Sequence, residues 1–288
     1  MIINEESMYK PLAIAALLSV TAQAWAQPVP ERVVALDYAA LDILDNLAQR
    51  ERIAGVAQAT LPDYLSDYAD DAFTDVGTLK VADMEALESL SPDAILISGR
   101  LEAERANLEA LAPVYAVATE GEDAWDQLEH RVDDLAALFD AQQAGEQALA
   151  DLRQALDQQL AEITGTPKVL VVVHNDGKLI VQHNAVVHDL MGLASPELPV
   201  NVESVTRGER TFTPLTPAQI AATQPDLVWV VDRSAAIGQT PLDVEALTQA
   251  VGDDLAIAVG SPRLWYLAGQ GLDSTRLQVE EVVAALAL

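Results

Sequence analysis

One short device occurs twice in this chain, once in each half. The first copy reads Ser91-Pro92-Asp93-Ala94-Ile95-Leu96-Ile97-Ser98-Gly99-Arg100, the second Gln224-Pro225-Asp226-Leu227-Val228-Trp229-Val230-Val231-Asp232-Arg233. Each is Pro-Asp, a largely apolar run, then an arginine. A run that short, apolar on both faces and rich in Val and Ile, predicts a strand buried in a parallel sheet. Each follows an amphipathic helix, at residues 82–90 and 214–223. In open α/β sheets ligands bind beyond the carboxyl ends of the strands, so Arg100 and Arg233 are expected on opposite walls of a cleft between two lobes.

The rest of the chain alternates strand and helix in the same way, which implies parallel sheets. Strands are expected over 32–37, 52–57 and 114–119, and helices over 38–49, 103–111 and 125–139. Residues 60–73, rich in Asp and Tyr, read as a surface loop. Over 142–163 the apolar residues Leu149, Leu152, Leu156, Leu160 and Ile163 recur at spacings of three and four, one helical face, before Gly165 and Pro167. At about 1.5 Å per residue that helix is roughly 33 Å long. It is expected to link the lobes and to limit their opening. The fold class is therefore α/β, two α/β lobes with mostly parallel central sheets joined by one long helix. The expected divisions are a first lobe at 27–141, the helix at 142–165 and a second lobe at 166–288.

In the second lobe Asp176-Gly177 reads as a tight turn between strands 168–175 and 178–183. A short helix over 186–190 and an irregular stretch over 193–205, broken by Pro196 and Pro199, follow. A helix over 244–251, a strand over 256–260 and a closing helix over 273–286, capped by Asp273 or Ser274, complete the lobe.

Residues 1–26 have the form of a secretory signal: Lys10, an apolar stretch over 12–20 too short to span a membrane, and Ala24-Trp25-Ala26 for cleavage. Glu5 and Glu6 are unusual before such a stretch, and translation is expected to start at Met8. There is no cysteine, which excludes disulfides, thiolate metal sites and a cysteine nucleophile. It also argues against a lipidated mature end. The expected location is the periplasm, in soluble form. The net charge is −29, from 45 acids against 16 Lys and Arg, so a nucleic-acid partner is not expected. Against that field each arginine is informative.

Arginine offers a planar fork of donors and stacks on aromatic rings, so Arg100 and Arg233 suit an anionic, aromatic ligand. The alternative is an internal ion pair, for instance with Asp232. Arg207 and Arg210, in a polar loop before the second device, read either as ligand contacts or as ordinary surface charge. In Leu264-Trp265-Tyr266-Leu267, Tyr266 is a candidate metal or hydrogen-bond ligand and Trp265 a stacking face; the alternative is a buried aromatic pair. The histidines His130, His174, His183 and His188 lack metal-site spacing. Gly269-Gln270-Gly271 lacks the third glycine and preceding strand of a dinucleotide loop. No G-x-S-x-G is present.

Across nearly all of its mature length the chain resembles the periplasmic substrate-binding proteins of ATP-driven iron–siderophore and vitamin B12 importers, closest to the ferric-catecholate binders. The resemblance rests on Val76-Gly77-Thr78, Ile97-Ser98-Gly99-Arg100, His188-Asp189-Leu190-Met191-Gly192, Val231-Asp232-Arg233 and residues 265–272. It implies that Arg100 and Arg233 contact catecholate oxygens and that Tyr266 is able to ligate iron. It also implies no resident cofactor, since iron(III) arrives inside the siderophore, and no enzymatic activity. The partners it implies are an inner-membrane ABC permease and its ATPase, served by a monomer. Two positions depart from the pattern. The loop 206–214 lacks the family's histidine, with Arg207 near its place, and His183 replaces a third arginine. A fully coordinated siderophore held by charge is then the expected cargo. Glu85 matches the first-lobe permease-docking acid. The second-lobe position is Ala218, which leaves Glu209 for that role. The rivals are another cargo (cobalamin, haem or a hydroxamate siderophore), a secreted two-lobed enzyme, and a scaffold or adhesion protein.

Overall fold

The computed structural model describes residues 28–117, 121–208 and 210–287, without the side chain of Arg210. The expected signal sequence, the end of the 114–119 strand and Glu209 lie outside the described residues. Two sheets are present, each covered by helices.

The first is built from β1 (Val33–Leu36), β2 (Ile53–Val56), β3 (Thr74–Asp75), β4 (Ala94–Ile97) and β5 (Val114–Ala116). All pairings are parallel, in the order β3-β2-β1-β4-β5. Every residue of β1 and β4 is buried, which is why these strands carry no polar alternation. Each such Val, Ile or Leu contributes about 1.5–3 kcal/mol of burial. The helices of this half are α1 (Tyr38–Asn46), α2 (Met84–Leu90), α3 (Arg105–Glu109) and α4 (Ala124–Leu138). Asp37, Asp83 and Asp123 each cap a following helix by accepting its first free amides. Residues 60–73 are not the surface loop expected from their Asp content. Asp63–Ala69 forms 3-10 turns that bury Leu65 and Tyr68, and the Tyr68 hydroxyl reaches Asp45 (2.9 Å).

The helix between the sheets, α5 (Gln142–Leu160), buries Leu149, Leu152 and Leu156 and packs against both α4 and the closing helix at Leu272–Leu286. It is 19 residues long and ends three residues before the expected Ile163, which sits in a closing turn.

The second sheet runs β11-β10-β6-β7-β9-β8. Its strands are β6 (Val169–Asn175), β7 (Lys178–Val181), β8 (Val205–Arg207), β9 (Arg210–Leu215), β10 (Leu227–Asp232) and β11 (Ile257–Val259). β11, β10 and β6 are parallel; β7, β9 and β8 join antiparallel. Asp176 (φ 50°) and Gly177 (φ 73°) both take positive φ, the two-residue hairpin turn expected of Asp-Gly. The hairpin β8–β9 was not expected: Arg207-Gly208-Glu209-Arg210 reads as a polar loop, and β9 takes up Pro214, assigned above to a helix. The helices of this half are α6 (Pro217–Thr223), α7 (Arg233–Ala236), α8 (Val244–Val251), α9 (Pro262–Tyr266) and α10 (Leu272–Leu286). None of the described helices is long and apolar enough to cross a membrane.

The halves meet through α1 and α10. Asp42 of α1, buried at 1 % exposure, accepts the amides of Asp273 (2.9 Å) and Ser274 (2.8 Å) at the start of α10. It therefore caps a helix of the other half, a role expected of Asp273 or Ser274. A Cβ on Gly271 would collide with the Asp42 carboxylate; glycine is needed there for close approach, not for backbone freedom.

Candidate functional site

Strand order fixes where a site can form. In the first sheet the order reverses between β1 and β4, in the second between β6 and β10. Such switch points open a crevice beyond the strand ends. Asp37 follows β1 and Arg100 lies beyond β4; Asn175 ends β6 and Arg233 follows β10. Each half thus places an arginine at its crevice, with a polar residue from the neighbouring strand.

The two arginines converge on one residue, Tyr266, at the end of α9. Arg100 Nη2 donates to the Tyr266 carbonyl (2.8 Å), and Arg233 Nε donates to the Tyr266 hydroxyl (2.8 Å). Both guanidiniums also lie over the phenol ring, 5.7 and 5.5 Å from its centroid. Asn175 Oδ1 accepts from Arg233 Nη1 (2.6 Å). Neither arginine forms an ion pair among the described residues.

The alternative partner for Arg233, Asp232, is otherwise engaged. Its carboxylate accepts from His174 Nδ1 (2.8 Å), Leu242 N (2.7 Å) and Ala235 N (3.0 Å). Burial alone would raise its pKa, but the Leu242 amide, His174 and the Ala235 amide together hold it below the usual value. His174 receives the Gly177 amide on its other nitrogen (3.2 Å). This ties the ends of β6 and β10 together and directs Arg233 outward.

Beside Arg100 lies a cavity of about 510 Å³, lined by Asp37, Ser98, Arg100 and Arg131 from the first half and Leu267 and Gln270 from the second. Arg131 is buried at 5 % exposure and donates to the Gln270 carbonyl. Burial lowers its pKa, partly offset by Asp37. Asp37 is raised by burial, against the Ala40 amide, Arg131 and Arg100. Two first-half arginines, Arg100 and Arg131, therefore hold the end of α9 and the loop after it by their carbonyls. Arg131, Asp37 and Asn175 were missed in the sequence. The readable signal for the last two was their place at strand ends neighbouring the device strands.

Other expected site residues lie elsewhere. Trp265 does not face the cleft: it is 8 % exposed, packs on Trp229 (centroids 4.9 Å) and donates to Glu281 (2.6 Å). Its neighbour Tyr266 is half-buried because successive helical residues point about 100° apart. His183 does not touch the arginine cluster. It is exposed, pairs with Asp189 (2.7 Å) and stacks on His188 (4.9 Å). It lies two residues past the end of β7, whose last ladder pair is Val181 with Val172, and so toward the other end of β6 from Asn175. Arg207 is exposed near the turn of the β8–β9 hairpin, opposite Arg210, and makes no ion pair among the described residues. Glu85 is exposed in the first turn of α2. No group of three or more His, Asp or Glu suited to a metal occurs among the described residues.

Residues 33–251 match the sequence model of a family described as periplasmic binding protein. The petrobactin-binding protein YclQ of Bacillus subtilis is 28% identical over 272 residues, which cover 88% of this chain and 81% of that protein. The ferric-anguibactin-binding protein FatB of Vibrio anguillarum is 25% identical over 274 residues, with 88% and 82% covered. The crystal structure of the petrobactin-binding protein YclQ superposes with a TM-score of 0.79 at 27% identity, covering 90% of this chain and 93% of that one.

Proposed function

The chain belongs to the periplasmic binding protein family, and from that premise we propose that it is the solute-binding component of an ABC importer, capturing a ferric catecholate-type siderophore for an inner-membrane permease. The observation that carries the cargo assignment is the convergence of Arg100 and Arg233 on one point from two lobes of a chain whose net charge is −29. Cations so placed, with a tyrosine face between them, suit a large aromatic anion. The relatives that bind petrobactin and ferric anguibactin support the same class.

In this reading Arg100, Arg233 and Tyr266 form the centre of the site. Arg207 and His183 lie toward the other end of β6 and stand outside that centre. Iron(III) is cargo held by the siderophore, and the protein contributes binding and orientation, not turnover. Glu85, exposed at the start of α2, serves docking to the permease. Delivery takes place in the periplasm.

Titration of the mature protein against ferric catecholates, followed by intrinsic fluorescence and thermal shift, tests the proposal. The expected result is saturable binding with a raised Tm. A panel in which no ferric siderophore changes either signal removes it.

A further inference from the structure

One residue back from the Arg233–Asn175 contact, on the same two strands, lies a second pair. His174 of β6 and Asp232 of β10 are ladder partners, buried at 4 % and 2 % exposure. The residues that follow them, Asn175 and Arg233, are the ones joined at 2.6 Å. Three main-chain amides close on the buried pair. Ala235 N and Leu242 N donate to Asp232, and Gly177 N donates to His174 Nε2 (3.2 Å). They belong to α7, to the segment before α8 and to the β6–β7 turn. The turn is tied to α7 once more, by the Asp176 amide on the buried Ser234 hydroxyl (2.9 Å).

These donors fix the state of the imidazole. A backbone N–H can only donate, so His174 Nε2 carries no proton. The ring is then neutral, with its hydrogen on Nδ1 and directed at Asp232 (2.8 Å). A proton on Nε2 would set two donors against each other. Resting on the ferric-siderophore reading, we propose that His174 is a positioning residue for cargo capture, a neutral Nδ1–H imidazole that acts on the ligand only through Arg233. Arg233 makes no ion pair among the described residues, so no carboxylate fixes its direction. That direction comes from the backbone at the end of β10 and from Asn175, and the His174–Asp232 pair sets both. Without the imidazole, a buried carboxylate and a turn amide each lose a partner, and the strand ends are free to separate.

The test is a double-mutant cycle, with the iron(III) complex of a tris-catecholate as the probe. His174→Leu alone is expected to weaken binding by about tenfold, the scale of one buried polar group left unpaired. In an Arg233→Ala background the same substitution changes affinity by less than about twofold, because the residue it acts through is gone. His174→Asn, whose amide nitrogen falls where Nδ1 was, restores most of the loss. Long-range proton–nitrogen NMR of the free wild-type protein at neutral pH, with the His174 signals assigned by their absence from His174→Asn, is expected to show the Nδ1–H ring. Equal losses in both backgrounds overturn the proposal. So does His174→Leu binding as wild type, His174→Asn binding no better than His174→Leu, or a ring that carries its proton on Nε2. Wild type that does not bind the probe removes the siderophore reading itself, and the proposal with it.

Discussion

At the level of single residues, the proposed binding cleft rests on two guanidiniums that make no ion pair among the described residues. Arg100→Ala and Arg233→Ala are each expected to weaken binding of a ferric catecholate by about 1.5–3 kcal/mol, the range for hydrogen bonds to charged groups. Isothermal titration of the two variants checks this, and unchanged affinity in both disproves the cleft assignment. These arginines were readable in the sequence because each follows an apolar run that has only one plausible burial. Their partners were not. Asn175 and Asp37 come from strands that become neighbours only through sheet order, and Arg131 reaches the site across a helix packing. Of the two readings open for Trp265 the buried one holds, and the reason is local: in Trp265-Tyr266 one ring enters the core and the next leaves it, and sequence adjacency does not say which. Its indole is instead bound by Glu281, on the closing helix.

At the level of elements, strands buried on both faces were the readable part, since nothing but an interior sheet accommodates them. The β8–β9 hairpin was hidden because its exposed residues, Val205, Thr206 and Arg207, present no apolar alternation. It is held by main-chain pairing and by hydroxyl pairs such as Thr206 with Thr211 (3.1 Å). The start of α10 was misread in a different way. Gly271 has an ordinary φ of −98°, so no turn signal distinguishes it; its need for glycine arises from Asp42, more than two hundred residues earlier. Gly271→Ala is expected to destabilise the protein by about 1–3 kcal/mol through overpacking against that carboxylate. Urea denaturation gives the value, and a difference within a few tenths of a kcal/mol excludes the close approach.

At the level of the whole molecule, the contact between the halves carries a pH dependence. Burial pushes the Asp42 carboxyl up from 3.8 to about 6, opposed by the Ser274 and Asp273 amides and reinforced by the Asp273 charge. Tyr64, 3.4 Å away, and Asn46 face it from the other side. A carboxyl raised on folding stabilises the native state in its protonated form. Its contribution is full below about pH 4 and is lost as the pH rises through about 6. Asp42→Asn is expected to flatten that segment of the stability–pH curve relative to wild type, as measured by denaturation across it. Parallel curves for the two proteins would show that Asp42 titrates normally. The shared cap also bears on how such molecules can be recombined. Chain order draws a seam at α5, yet a fragment cut there would carry a closing helix whose leading amides have lost their acceptor, and would leave an orphaned carboxylate on the other fragment. A chimera that borrows one half from a relative must therefore inherit a matched aspartate and glycine, one from each parent, or forfeit the joint.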